Sequence, residues 1–239
     1  MNLLIIAALK SEVKNLLKFY RAEIVLKTKK ILLLKKNINS DNIYFGITGT
    51  GRKNVKKFFK EYFKLKIKTD FLISTGYAGA VNPLLNVGDI VIAKKFICKG
   101  REISYTLPID NRKLKIKFYL TTGVGVDTIV LKREKLRLKE EYKEVDFVDM
   151  ESCEIIKICD ENQINFIIFR VISDTYNFEF PDFEFIKDSW RRINYIKLFF
   201  YILKNPLNLF KILSLRWNLA KASKLLSNSL IKLLKTLLH

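Results

Sequence analysis

The chain reads as an α/β protein: one three-layer domain over residues 1–185, with a mixed, mostly parallel central sheet, and a basic helical extension over residues 186–239. Three observations predict this. Short apolar runs of strand length recur along residues 3–172. Amphipathic helical periods lie between several of them, which argues for helices covering both faces of a buried sheet. A length of 239 residues, 49% of them hydrophobic, suffices for one substantial core.

Taken in order, Leu3 to Ala8 is an apolar run without a basic leader and too short to span a bilayer, so it predicts a buried first strand and not a signal peptide. Ile31 to Leu34 and Ile43 to Thr48 predict the next strands. After Gly49-Thr50-Gly51, apolar residues at Val55, Phe58, Phe59, Tyr62 and Phe63 follow helical spacing and predict a helix packed on the sheet. Further strands are expected at Phe71 to Ser74, Asp89 to Ala93, Ile116 to Thr121 and Phe166 to Ile172. Met150 to Glu161 predicts a helix with Ile155, Ile156, Ile158 and Cys159 inward. Phe180-Pro181-Asp182 marks a loop, followed by basic amphipathic helices split at Asn205-Pro206. In the last of these, Leu226, Leu230, Leu233, Leu234 and Leu237 form a stripe.

Charge and composition exclude several classes. Lys+Arg number 44 against 24 Asp+Glu, a net charge of +20 that attracts nucleic acid or anionic membranes, although a genome-wide bias toward Lys, Ile and Asn codons gives the same composition. The excess concentrates after Ile186, where Asp188 is the only acid. The apolar stretch from Ile196 to Leu215 is interrupted by Lys197, Lys204, Pro206 and Lys211, which argues against a spanning helix. Cys98, Cys153 and Cys159 show no paired spacing and have no partner histidines, so they are expected as reduced, buried thiols without zinc or disulfides. The sole histidine is His239, so acid–base chemistry must rest on carboxylates.

Two carboxylates fall at predicted strand ends, in Val148-Asp149-Met150-Glu151-Ser152 and in Arg170-Val171-Ile172-Ser173-Asp174. Such a pair can grip a sugar and protonate a departing base, much as two carboxyl groups divide glycoside hydrolysis. Glycine turns at Gly49-Thr50-Gly51 and Gly76-Tyr77-Ala78-Gly79 let backbone amides approach a ligand. A nicotinamide site is discounted, because the third glycine and the ribose-binding acid are missing. Structural accounts compete: Ser173-Asp174 as a cap, Glu151 as a first-turn glutamate and Glu12 as part of an exposed helix.

These motifs, with Ser74-Thr75-Gly76-Tyr77-Ala78-Gly79-Ala80, Asn86-Val87-Gly88-Asp89-Ile90-Val91 and Glu12, resemble the nucleoside phosphorylase and nucleosidase superfamily, and within it the 5′-methylthioadenosine/S-adenosylhomocysteine nucleosidases, over roughly residues 1–185. The resemblance implies a phosphorylase/hydrolase-like fold, a cytoplasmic homodimer and hydrolysis of an adenine nucleoside in nucleoside catabolism and methionine salvage, without metal or organic cofactor. It implies that Asp174 is the acid that protonates the purine, with Ser173 beside it. Glu151 would hold the ribose hydroxyls and Met150 would pack on the sugar. Glu12 would activate water with Arg170 near it, Ala78 and Gly79 would line the pocket, and Ile129 and Val130 would contact adenine. The chain departs from the family in its short Asp89 to Asp127 segment, in Tyr77 where a small residue is usual, and in Ile129 where an aromatic would stack on the base.

Two other functions are compatible with the sequence. Phosphorolysis would need cations around phosphate, for which Arg52 is the obvious candidate. The tail, with Phe180-Pro181 and Lys204-Asn205-Pro206-Leu207, is similar to hopanoid-biosynthesis-associated phosphorylases, which implies an adenosyl-lipid substrate and peripheral contact with the inner face of a membrane. A non-catalytic module that senses a nucleoside and docks on membrane or RNA is the alternative from another class, although no specific nucleic acid is expected. The simpler account of the tail is packing against the domain or across a dimer.

Overall fold

A computed structural model describes residues 1–28, 31–108, 110, 114–180, 205 and 207–238. The predicted loop at Pro181-Asp182, the helices before residue 204 and the break at Pro206 lie outside the described residues. The centre of the sheet is parallel. Strand β1 (Asn2–Ala7) lies between β4 (Asp41–Ile47) and β5 (Phe71–Ala80), and β5 pairs in parallel with β10 (Asn165–Asp174). Antiparallel strands β3 (Leu32–Ile38) and β2 (Glu23–Lys27) extend one margin. On the other side β10 runs antiparallel to β6 (Ile90–Cys98), which carries the hairpin strand β7 (Arg101–Ser104). From β6 the ladder continues in parallel to β8 (Tyr119–Gly125) and β9 (Phe147–Asp149), and β9 returns antiparallel to the end of β5. Five strands therefore close on one another around the carboxyl ends of β5 and β10.

Strand alternation sorts the core into two layers. Leu4 and Ile6 of β1 face α2 (Arg52–Lys64) and α4 (Ser152–Glu161), where Val55, Phe58, Phe59, Tyr62, Ile155 and Ile156 are buried. Leu3 and Ile5 face α1 (Lys10–Tyr20) and the long α5 (Leu207–Leu237). The expected leucine stripe is the buried face of α5: Leu226, Leu230, Leu233 and Leu234 are fully buried and Leu237 packs partly against them. Phe63, expected inward, is exposed at the end of α2. Among the described residues no helix is long and apolar enough to cross a membrane.

The structure corrects the expectation for cysteine. Cys98 at the end of β6 and Cys153 in the first turn of α4 form a disulfide, leaving Cys159 as a buried free thiol. Their separation of 55 residues carries no pairing signal, because the closed ring of strands is what brings the two positions together. Strands β2, β7 and β9 were not expected from periodicity, being exposed, short or both.

Because Leu230 is fully buried in the core of α1, α5 and the sheet, Leu230→Ala should cost about 3 kcal/mol, measured by urea unfolding. A loss below about 0.5 kcal/mol would place α5 outside the cooperative core.

Candidate active site

A cavity of about 280 Å³ opens at the carboxyl ends of β1, β5, β9 and β10, where an α/β sheet ordinarily receives its ligand. Glu12, Ala78, Gly79, Ile129, Val130, Met150, Glu151, Ser173 and Asp174 all line it. Arg170, grouped with them from the sequence, does not line this cavity.

Glu12 sits in the first turn of α1 but is only 4% exposed, so the account of it as a solvated helix residue does not hold. Its Oε2 accepts the Leu9 amide at 2.7 Å and its Oε1 the Tyr77 amide at 2.9 Å. That approach depends on Gly76, whose φ of +146° and missing side chain leave room: a Cβ there would lie 2.7 Å from Glu12 Oε1. Burial raises the Glu12 pKa, while the backbone donors and the positive charge of Arg170 pull it back.

Glu151 precedes α4 and accepts the Gly51 amide at 2.6 Å, so the Gly49-Thr50-Gly51 turn serves the site through its backbone. Burial, then the neighbouring Asp149 carboxylate, pushes its pKa up to about 7 against the opposing effects of Gly51 and Arg170. Asp149 anchors this corner. Its Oδ1 accepts the amides of Glu151 and Ser152, at 3.2 and 3.0 Å, and its Oδ2 accepts Arg170 Nε at 2.8 Å and the Ser152 hydroxyl.

Arg170, 1% exposed, also donates to Ser74 Oγ at 2.9 Å and Ser152 Oγ at 3.0 Å. It acts on Glu12 through its field and not through a hydrogen bond. Ser74, Thr75, Glu151 and Arg170 line an adjoining cavity of about 10 Å³, the size of one water molecule. Arg170 Nη1 and Thr75 Oγ1 are buried there without a protein hydrogen-bond partner.

Asp174 ends β10. The register slips between Ile172 and Asp174, a bulge that sets Asp174 opposite Gly79 on β5. A Cβ on Gly79 would stand 2.9 Å from Asp174 Oδ2, so the glycine makes space for the carboxylate. Ser173 Oγ donates to Asp174 Oδ1 at 2.7 Å, and Lys135 Nζ, fully buried, donates to Oδ2 at 2.5 Å. Sequence reading missed Lys135. It lies on α3 (Lys132–Glu141), a strongly polar helix with no apolar stripe to mark an inward face.

Apolar residues complete the cavity: Leu9, Tyr77, Val126, Phe180, and Leu215 and Leu219 of α5. Tyr77 is half-buried, and near it Ser223 of α5 donates to the Ser11 carbonyl of α1 at 2.8 Å. No lysine or arginine among the described residues lines the cavity. Arg52, the phosphate candidate, pairs with Asp127 at 3.3 Å, donates to Gly125 O at 3.3 Å, and faces a different cavity.

The sequence profile described as the phosphorylase superfamily matches residues 2–129 and 110–194. The chain belongs to the phosphorylase superfamily. It is accordingly an enzyme of the nucleosidase and nucleoside phosphorylase type. A relative from Buchnera aphidicola subsp. Schizaphis graminum, named 5′-methylthioadenosine/S-adenosylhomocysteine nucleosidase, is 26% identical over 198 residues, covering 73% of this chain and 84% of that one. A Staphylococcus haemolyticus protein of the same name is 25% identical over 184 residues, 67% and 74% of the two chains. Among solved structures, the Neisseria meningitidis nucleosidase of that name in complex with methylthio-immucillin-A superposes with a TM-score of 0.70 at 15% identity, covering 98% of both chains. Futalosine hydrolase of Helicobacter pylori gives 0.71 at 14% identity, over 98% of this chain and 97% of that one. These superpositions establish the three-layer α/β fold of the superfamily.

The raised value of Glu151 carries a stability consequence. An unfolded glutamate titrates near 4.5 and the folded one near 7, so the folded state binds the additional proton and stability declines as pH rises through that window. Glu151→Gln, which mimics the protonated form, should therefore stabilise the protein by about 2 kcal/mol at about pH 8 and by almost nothing near pH 4, read from thermal midpoints at the two pH values. An equal gain at both would show that charge burial is not the cause.

Proposed function

We propose that this enzyme hydrolyses the N-glycosidic bond of an adenine nucleoside of the methylthioadenosine or adenosylhomocysteine type, releasing adenine. The observation that carries the reading is that Glu12, Glu151 and Asp174 line one cavity whose described walls contain no lysine or arginine. The named relatives support the same substrate class.

Each carboxyl group suits one part of the reaction. Cleavage leaves positive charge on the sugar, and an ionised Glu151 accepting ribose hydroxyl hydrogen bonds both orients the ring and stabilises that charge. Asp174, beside the space enclosed by Ala78, Gly79, Ile129 and Val130, protonates the departing purine. Glu12 takes a proton from the attacking water; its two backbone donors hold the carboxylate in place, and its raised pKa makes it a better base once ionised. The small cavity beside Glu151, with Arg170 and Thr75 on its wall, gives a water molecule polar partners. Met150 packs on the sugar, and Leu9, Tyr77, Phe180, Leu215 and Leu219 suit an apolar 5′ substituent better than a charged one.

Phosphorolysis gains no support, since Arg52 is engaged with Asp127 and Gly125 outside the cavity. A panel of methylthioadenosine, adenosylhomocysteine and adenosine, assayed chromatographically for free adenine, should show release that is independent of added phosphate. Strict dependence on phosphate would refute hydrolysis. Asp174→Asn should lower kcat by about 10²–10⁴-fold with little change in nucleoside binding measured by calorimetry; full activity in this variant would remove Asp174 from the proposed chemistry.

A further inference from the structure

Lys135 is the one fully buried side chain of α3, in a helix whose other ionisable groups lie at or near the surface. An ammonium group withdrawn from water costs several kcal/mol unless it is paired, and a leucine or methionine would fill the same position without that cost. The pairing here is close and specific: Nζ donates to Asp174 Oδ2 at 2.5 Å and to the Thr175 carbonyl at 2.9 Å, and lies 5.9 Å from the centre of the Phe180 ring. Its partner is the carboxylate assigned above to purine protonation. A carboxylate bonded to an ammonium carries no proton of its own to give, so the pair raises the question of where the proton for the base comes from.

We propose that Lys135 supplies the proton that Asp174 delivers to the leaving purine, so that the acid of the reaction is the Lys135–Asp174 pair and not Asp174 alone. This rests on the nucleosidase reading of Asp174. As the bond between the sugar and the purine breaks, its electron pair goes to the base. The Lys135 ammonium gives a proton to Asp174 and becomes a neutral amine, and Asp174 passes a proton on to a ring nitrogen of the base and is a carboxylate again. Water adds to the sugar carbon and gives its proton to Glu12. Exchange of one proton with solvent at each site then restores the Glu12 carboxylate and the Lys135 ammonium, so the cycle balances. Lys135 does not line the cavity, and it acts through Asp174 as a positioning and proton-supplying residue. The other charged groups around the pair are Glu12, Asp149 and Glu151 on the wall of the cavity that Asp174 lines, Arg170 bound to Asp149, and Lys132, Arg133, Glu179 and Lys211, which line a second cavity with Phe180.

The test is the pH profile of kcat/KM for adenine release by the wild type, Lys135→Met, Lys135→Arg and Asp174→Asn over about pH 5 to 10. Lys135→Met should fall at least about tenfold below the wild type near pH 8 and approach the wild type measured at the same pH near pH 5, where solvent supplies the proton to Asp174, moving the alkaline decline down by about one pH unit or more. Lys135→Arg keeps the positive charge and the hydrogen bond but cannot give up a proton, and should fail to restore activity near pH 8. Melting temperatures and calorimetric adenine affinity verify that each variant is folded. A Lys135→Met profile parallel to that of the wild type, or an Arg variant as active as the wild type, overturns the proposal even if Asp174→Asn is inactive. An active Asp174→Asn overturns the reading of Asp174 itself.

Discussion

The site depends on keeping several carboxylates close together in one buried corner of the sheet. Glu12, Asp149, Glu151 and Asp174 all border a space of about 280 Å³, and like charges gathered around one cavity repel. Each is stabilised by different means. Asp149 is bound to Arg170, Asp174 to Lys135, Glu12 to two backbone amides, and Glu151 to one amide only. Burial raises both glutamates, Glu12 against two amide donors and Glu151, up to about 7, against one, and Glu151 is the one assigned to the sugar. A carboxylate with few protein partners retains acceptor capacity for a ligand, so its poor internal satisfaction and its proposed task have one cause.

This arrangement explains why the backbone around the cavity is so constrained. The Glu12 carboxylate comes close to the backbone of β5 at Gly76, Asp174 reaches into the space left at Gly79, and Gly51 turns its amide toward Glu151. At the first two positions a methyl group would meet a carboxylate oxygen at 2.7 and 2.9 Å. The glycine-rich turns are therefore fitted to the acids and not merely permissive of a bend, and the bulge before Asp174 serves the same end by resetting the side-chain direction at the end of β10.

Legibility in the sequence followed apolar patterning and local motifs. The central strands β1, β4, β5 and β10 were readable because they are buried on both faces and so form continuous apolar runs. Glu151 and Asp174 were readable because each follows such a run within a distinctive motif. Asp149 stood in the same motif, but its work, tying Arg170 to the start of α4, depends on a partner 21 residues away. Lys135 could not be found, being one of 44 basic residues on a helix without an apolar stripe. The Cys98–Cys153 bond was equally hidden, since only the closure of β5, β10, β6, β8 and β9 brings those two thiols together.

The terminal helix joins stability to specificity. Its inner stripe, Leu226 to Leu234, completes the core over α1 and the sheet, while Leu215 and Leu219 nearer its start form part of the cavity wall, and Ser223, after Leu219 and before the stripe, ties the helix to the Ser11 carbonyl of α1. A helix that lifted away would expose the leucine stripe and open the cavity in the same motion, so its C-terminal half is poorly suited to serve as a detachable anchor. What remains free is the outer face near its beginning, where Phe210, Leu213 and Trp217 are exposed. Any surface that covers those side chains would lie within one or two turns of Leu215 and Leu219, and would thereby border the part of the cavity proposed to take the 5′ group.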